Sequence, residues 1–284
     1  MITRTYHIEF LTPCFCGGAD PAHAELRPSA IRGQLHWWFR ALGGSPAEEQ
    51  TVFGGVHGDM PIASTFSIRV IQPIHGGQSN WFTKIPQQGV EPHAYLLGFF
   101  CGRTGRLKAG GALAPGSKAT VSFHFRRPPA SKLEHTLRVF FSIGALGFRA
   151  TRAAGAFASE ECALTMNTWT QLADELKNAS FTVWLDAKTF PDWVDLIRHA
   201  GNLLKNQLRG RNGLGISAGR NGTRPNALGS AEPRQASPLH LRPVRIGGDL
   251  RLALIEAPHS RILGQDAQCA HGNRAPILKL AHLA

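Results

Sequence analysis

Arg32, His36 and Arg40 recur at intervals of four, the spacing that stacks side chains along one side of a helix. Trp37 stands among them and Arg27 just ahead of them. Such a group can hold phosphates on its cations while the indole stacks on a base. An ordinary amphipathic helix with a solvated polar face would show the same residues. A second group is the run from Gly144 to Gly155, where small residues let backbone N–H groups approach an anion and Arg149 and Arg152 can add charge-assisted hydrogen bonds. It lacks both the Gly-Lys-Ser/Thr of a Walker loop and the preceding strand of a dinucleotide fingerprint. The third group lies in 209–235, where Arg209, Arg211, Arg220 and Arg224 alternate with six glycines and no helical or strand period is visible.

Catalytic and metal signals are weaker. Cys14-Phe15-Cys16 is one residue too close for a zinc half-site and no second pair follows, so neither a metal nor a cofactor is expected. A histidine such as His36 could act as general base on a ribose 2′-hydroxyl in a metal-free ribonuclease. Asp20 and Glu25 could serve as acid or base, but two carboxylates in one loop are commonplace.

Several elements must position these groups. A helix is predicted over 29–42, with Ser29 as N-cap, Gly43-Gly44 as the stop, and Ile31, Leu35, Trp38, Phe39 and Leu42 as its core stripe. Gly33 offers a place for close backbone approach. Strands are expected at 5–11, 64–71, 95–100, 119–125, 161–165 and 181–185, with a closing hairpin of 239–244 and 250–255 across Gly247-Gly248. Further helices are expected at 133–143, 168–177 and 191–208. This rhythm predicts an α+β fold of two ferredoxin-like (βαββαβ) units packed together, with long Gly/Pro/Arg-rich loops. The first unit would span 1–157 and the second 158–284.

The chain has 284 residues and a net charge of +12, with 43% apolar residues, enough for a sizeable core. The charge is segregated: 101–152 holds ten basic residues against Glu134, and 201–245 holds eight against Glu232. Solubility requires no such segregation, and a polyanion such as RNA is the partner it points to. No apolar run approaches a membrane span, and the N-terminus enters a strand with no signal-peptide core. Five scattered cysteines suit free thiols in a reducing cytosol. The glycines of 209–235 make its ordering entropically costly, so that loop is expected to be mobile until it meets RNA or a neighbouring subunit.

Three segments together carry a family resemblance. Thr12-Pro13-Cys14-Phe15-Cys16-Gly17-Gly18-Ala19-Asp20, then Ala24-Glu25-Leu26-Arg27-Pro28-Ser29-Ala30-Ile31-Arg32-Gly33-Gln34-Leu35-His36-Trp37-Trp38-Phe39-Arg40-Ala41-Leu42, then Glu49 with Val52-Phe53-Gly54, resemble the first RAMP subunit of type III-B (Cmr) CRISPR effector complexes. Ala236-Ser237-Pro238-Leu239-His240-Leu241-Arg242-Pro243-Val244 is similar to that family's late strand motif. In the glycine-rich loop Gly147, Arg149, Arg152 and Gly155 fit the family pattern, whereas Thr151 and Ala153 stand where an Arg and a Gly are usual. His36 also departs from it. The resemblance implies two packed ferredoxin-like folds and no nuclease activity of the subunit's own. It implies a place near the 3′ end of the guide RNA (crRNA), beside a sibling RAMP subunit, with a part in engaging target RNA for antiviral defence. The alternative from another class is a metal-independent, guide-processing endoribonuclease of the RAMP superfamily with a histidine base.

Overall fold

The computed structural model describes residues 2–20, 22–57, 60–74, 81–85, 96–97, 109–208, 228, 230–231, 234–235, 237–262 and 277–283. Its N-terminal part is laid out as β1 (Ile2–Phe10), β2 (Cys14–Phe15), α1 (Pro28–Ala41), α2 (Pro46–Phe53), β3 (Gly55–His57), β4 (Met60–Ile62), β5 (Phe66–Ile74), β6 (Ala112–Leu113), β7 (Lys118–Phe125), α3 (Ser131–Ile143) and β8 (Phe157–Ser159). Four of these strands form one antiparallel sheet in the order β5-β7-β1-β8. Taken as first to fourth, β1, β5, β7 and β8 stand in the order 2-3-1-4, with α1 after the first strand and α3 after the third. That is the split βαβ arrangement of a ferredoxin-like unit. Strand alternation decides which side is buried: Tyr6, Ile8 and Phe10 of β1 and Val121, Phe123 and Phe125 of β7 face the helices. Tyr6 stacks on Phe141, Phe10 meets Phe157 edge to face, Phe123 lies tilted against Phe66, and Phe140 packs edge to face on Phe157.

The C-terminal part follows as α4 (Met166–Asn178), β9 (Thr182–Phe190), α5 (Trp193–Asn202), β10 (Ser230–Ala231), β11 (Arg234–Gln235), β12 (Leu239–Ile246), β13 (Asp249–Glu256), α6 (His259–Ile262) and α7 (Ile277–Leu280). Its antiparallel sheet runs β12-β13-β9, so β9, β12 and β13 reproduce the order of the first three strands of the first sheet. A fourth strand is not among the described residues. Both faces of β12 are covered. Val244 and Ile246 belong to the core shared with the first sheet's helices, whereas Leu239 and Leu241 pack with Leu252, Leu254 and the α5 residues Leu196 and Ile197.

Local departures from the predicted elements have physical causes. Ser29 is not the N-cap of α1; Arg27 occupies that place without a side-chain bond, and Pro28, whose fixed φ suits the first helical turn, begins the helix. The strand expected at 161–165 lies earlier, at 157–159. There the Glu160 N–H and the Glu161 carboxylate close the edge on His7 (3.0 and 2.9 Å), and Thr165 is needed as the N-cap of α4. The predicted helix 191–208 ends at Asn202 and continues as a wider π turn over Leu203–Leu208. Leu96 and Leu97 are buried in a helical turn; the rest of the strand predicted at 95–100 lies outside the described residues. Most of 209–235 does as well.

Candidate nucleic-acid interface

The core stripe of α1 is as predicted: Ile31, Leu35, Trp38 and Phe39 are inaccessible to solvent. Its basic side is not a solvated ladder. Helix α2, absent from the sequence reading, lies against it, started by a reciprocal Ser45–Glu48 capping box. Glu49 of α2 accepts from Arg40 Nε at 2.9 and 2.7 Å and pairs with His36 Nδ1. Burial works to raise the Glu49 carboxyl, but Arg40 and then His36 hold it below its ordinary value. The same contact raises the Arg40 guanidinium, although the Arg40 side chain keeps 60% of its exposure. Arg32 donates to the Phe53 carbonyl and, at 3.2 Å, to Ser64 Oγ, with its guanidinium 5.7 Å from the Phe53 and Phe66 ring centroids. These three residues, read as RNA contacts, therefore join α1 to α2. A Cβ at Gly33 would meet nothing within 4 Å, so no described backbone makes the close approach suggested for it.

The glycine-rich loop is also turned inward. Its N–H groups were expected to face an anion. Instead Leu146 N bonds Gly155 O (2.9 Å), Phe148 N bonds Phe15 O (2.8 Å), Ala153 N bonds Leu241 O (3.1 Å) and Gly155 N bonds Pro13 O (2.8 Å). The segment is thus a joint between the 13–15 strand and β12. Gly155 is required there: its φ is +64°, and a Cβ would lie 1.8 Å from Leu146 O. Ala153 holds φ +68° at the place where the related pattern has glycine. Arg152, expected on the loop surface, is only 6% exposed, and its guanidinium donates to the carbonyls of Leu239 (3.1 Å) and Leu228 (2.5 Å). Arg149 and Arg27 are both half-buried; Arg149 has φ +62°, and Arg27 pairs with Glu25 at 3.0 Å. Arg209, Arg211, Arg220 and Arg224 lie outside the described residues.

Beside Arg152 the structure assembles a cluster that sequence reading treated as plain strand. His240 and Arg242 alternate on the side of β12 that meets α1. Trp37 stacks on the His240 ring at 4.4 Å, and the Trp38 ring lies 6.2 Å from it. Arg242 is fully buried; it donates to Ala150 O at 3.1 Å and meets His240 Nδ1 at 2.9 Å. Burial pulls the Arg242 guanidinium down to about 9. Burial, then Arg242 and Arg152, push the His240 imidazole well below its ordinary value, so it is neutral at pH 7 with its proton on Nε2. That Nε2, Arg242 Nε and Trp38 Nε1 are buried without a partner among the described residues. All three are donors, and orphaned buried donors cost on the order of 1–3 kcal/mol each. Trp38 and Arg242 are closed to solvent and His240 is 3% exposed, so the open edge of the cluster is the half-buried Trp37. The alternating polar pair His240/Arg242 within an apolar strand was the signal available in the sequence. Elsewhere, exposed His7, Glu160 and Glu161 lie close enough together to share a cation.

The family model described as RAMP superfamily matches residues 7–158. The chain belongs to the RAMP superfamily. The matched part of this RAMP chain contains α1, α2 and the whole 144–155 joint. Over 44 residues the chain is 39% identical to the CRISPR system Cmr subunit Cmr1-2 of Pyrococcus furiosus, a match covering 16% of this chain and 24% of that relative's length. The crystal structure of Cmr1 from Pyrococcus furiosus in its apo form superposes with a TM-score of 0.58 at 20% identity, covering 90% of this chain and 88% of that one. The RAMP chain thus shares the mixed α+β fold of that protein across nearly its full described length. No described helix is long and apolar enough to cross a membrane.

Proposed function

We propose that this RAMP protein is the RNA-binding first RAMP subunit of a type III-B (Cmr) CRISPR RNA-targeting complex. In this reading it sits near the 3′ end of the guide RNA beside a sibling RAMP subunit, helps engage target RNA, and does not itself cut RNA. The observation that carries the reading is the half-buried Trp37 indole, stacked at 4.4 Å on His240 above the buried Arg242, whose described partners are the Ala150 carbonyl and His240 Nδ1. The indole supplies a surface on which any base can stack, so recognition would be indifferent to sequence. The segregated positive charge adds the long-range attraction.

Titrating single-stranded RNA at several salt concentrations tests this. Neutralising ~5 phosphates gives a slope of log K against log salt near about −3.5. A flat response sinks backbone recognition. Leaving the same RNA with the protein in chelator tests the rest: intact RNA fits a binding subunit, whereas metal-free cleavage that vanishes in His36→Ala would make it an enzyme. Purification from the host should bring down sibling subunits and a short RNA.

A further inference from the structure

The outer face of the first sheet carries a patch that the Trp37 site does not use. Side chains alternate along β1, β5 and β7, and those opposite the buried Tyr6, Phe66, Val121 and Phe123 fall into rows fixed by the register. Ser67, His124 and Thr3 make one row across the three strands, and Arg69, Ser122 and Thr5 make the next. Thr3, Ser67 and Arg69 are exposed, and Thr5, Ser122 and His124 are half-buried. Thr3 Oγ1 lies 3.2 Å from His124 Nδ1, and Thr5 Oγ1 lies 3.1 Å from Ser122 Oγ, so the hydroxyls are held in place. With neighbouring strands ~4.8 Å apart and alternate residues ~6.8 Å apart, the two rows cover a shallow patch of about 10 by 7 Å at their Cα positions.

Charge is unbalanced at this end of the sheet. Strand β7 runs out of the patch into Arg126 and Arg127, both exposed, and the Arg126 N–H donates to the Thr65 carbonyl (3.0 Å) just ahead of β5. The guanidiniums of Arg69, Arg126 and Arg127 have no hydrogen bond or ion pair among the described residues. Arginines elsewhere on the surface are neutralised, as Arg4 is by Glu134, Arg138 by Glu175 and Arg198 by Asp195. The carboxylates near this face gather at its other end, where Glu9 is held by Arg245 (2.7 Å) and Glu161 by His7 (2.6 Å).

We propose that this face binds the backbone of double-stranded RNA, with Arg69, Arg126 and Arg127 on phosphates and the Ser/Thr rows on 2′-hydroxyls. That the polyanion is RNA rests on the function proposed above. A protein partner needs an apolar centre to its interface, and among the described residues Ile71 is the one large apolar side chain exposed on this face. A single strand needs rings on which to stack its unpaired bases, and the rows offer hydroxyls and one imidazole. A duplex keeps its bases stacked inside and presents phosphates and 2′-hydroxyls across a wide, shallow minor groove, which rows of hydroxyls and cations can meet. Helix α1, which carries Trp37, packs on the opposite face. One chain can therefore hold an unpaired strand at Trp37 and a paired stretch on the sheet without overlap.

The test titrates the full-length protein with a blunt RNA duplex of ~16 base pairs, the DNA duplex of the same sequence, and an unstructured single-stranded RNA. The RNA duplex should bind at least ~3-fold more tightly than the DNA duplex, the worth of a hydrogen bond to a 2′-hydroxyl. Arg69→Gln combined with Arg126→Gln and Arg127→Gln should weaken the RNA duplex at least ~10-fold and lower the slope of log K against log salt by about three, while leaving the single strand within about two-fold. Thr5→Val with Ser122→Ala should abolish the preference for RNA over DNA. Trp37→Ala should show the reverse of the arginine variant, weakening the single strand and sparing the duplex. A DNA duplex bound as tightly as the RNA duplex overturns the proposal. So does an arginine variant that keeps its duplex affinity, or that loses duplex and single strand alike. Failure of the wild type to bind single-stranded RNA would strike the Trp37 site alone, since the duplex measurements stand by themselves. The wild-type comparison of RNA with DNA decides the matter even if a variant folds poorly.

Discussion

Two groups of basic residues flank α1, and they differ in what balances their charge. On the α2 side, Arg40 and His36 converge on one carboxylate, Glu49, and Arg32 on the Phe53 carbonyl. On the β12 side, Arg242 has a carbonyl and an imidazole, and no carboxylate contributes to its shift. The α2-side group has the regular spacing of a functional ladder, yet its valences are spent on holding two helices together. The β12-side group has the sequence of ordinary strand, yet it ends in buried donors with no acceptor among the described residues. A cation's partner, more than its exposure or periodicity, separates a structural role from a binding one.

The comparison can be broken at several points. The largest effect is expected at Trp38, which both floors the cluster and fills the core: Trp38→Ala should cost ~3–5 kcal/mol of stability, read as a lowered thermal midpoint. An unchanged midpoint would mean that the indole is not a core residue. Next, Glu49→Gln should cost ~1–3 kcal/mol while leaving RNA affinity within about two-fold. Because the folded state holds the Glu49 carboxyl below 4.5, its contribution is complete above the unfolded value near ~4.3 and is lost as pH falls through the depressed folded value. Urea titrations should therefore show the wild-type and Glu49→Gln curves converging in acid; divergence would contradict the ion pair.

The opposite pattern is expected of Arg242→Met. Exchanging a buried, carboxylate-free cation for an apolar side chain of similar length should change stability by no more than ~1–2 kcal/mol. RNA affinity should nevertheless fall on the order of ten-fold, because losing the Arg242 bond to His240 Nδ1 frees the ring on which Trp37 stacks. If affinity holds while stability collapses, Arg242 is structural and the contrast fails. The smallest effect belongs to Ala153→Gly. Relief of an alanine at φ +68° should offset the added freedom of the unfolded chain, leaving a stabilisation below ~1 kcal/mol in denaturant titration.

The fold was legible where patterns ran long. The α1 stripe, the alternation of β1 and β7, and the β12–β13 hairpin across Gly247-Gly248 were all readable, because one buried face imposes its period on the residues. Helix α2 was missed: only Val52 and Phe53 give it an apolar side, and its best signal was local, Ser45 three residues before Glu48. The site was less legible. Residues 144–155 read as an anion cradle because glycine marks both exposed loops and tight internal joints, and only the partners of their N–H groups tell the two apart. His240 and Arg242 carried the right chemistry in an element whose burial on both faces comes from packing that the local sequence does not encode.

The placement of β12 has a kinetic consequence. It accepts the 144–155 joint through Leu241, lends Val244 and Ile246 to one core and Leu239 and Leu241 to the other, and follows β1 by more than two hundred residues. Neither core is complete until this late strand has emerged and docked, so the first sheet must wait on the ribosome with its joint unsupported. Contacts of such long sequence separation make for slow folding and prolong the exposure of an aromatic-rich, aggregation-prone intermediate. Once docked, the strand binds the melting of one sheet to that of the other, and the chain should lose both in a single transition.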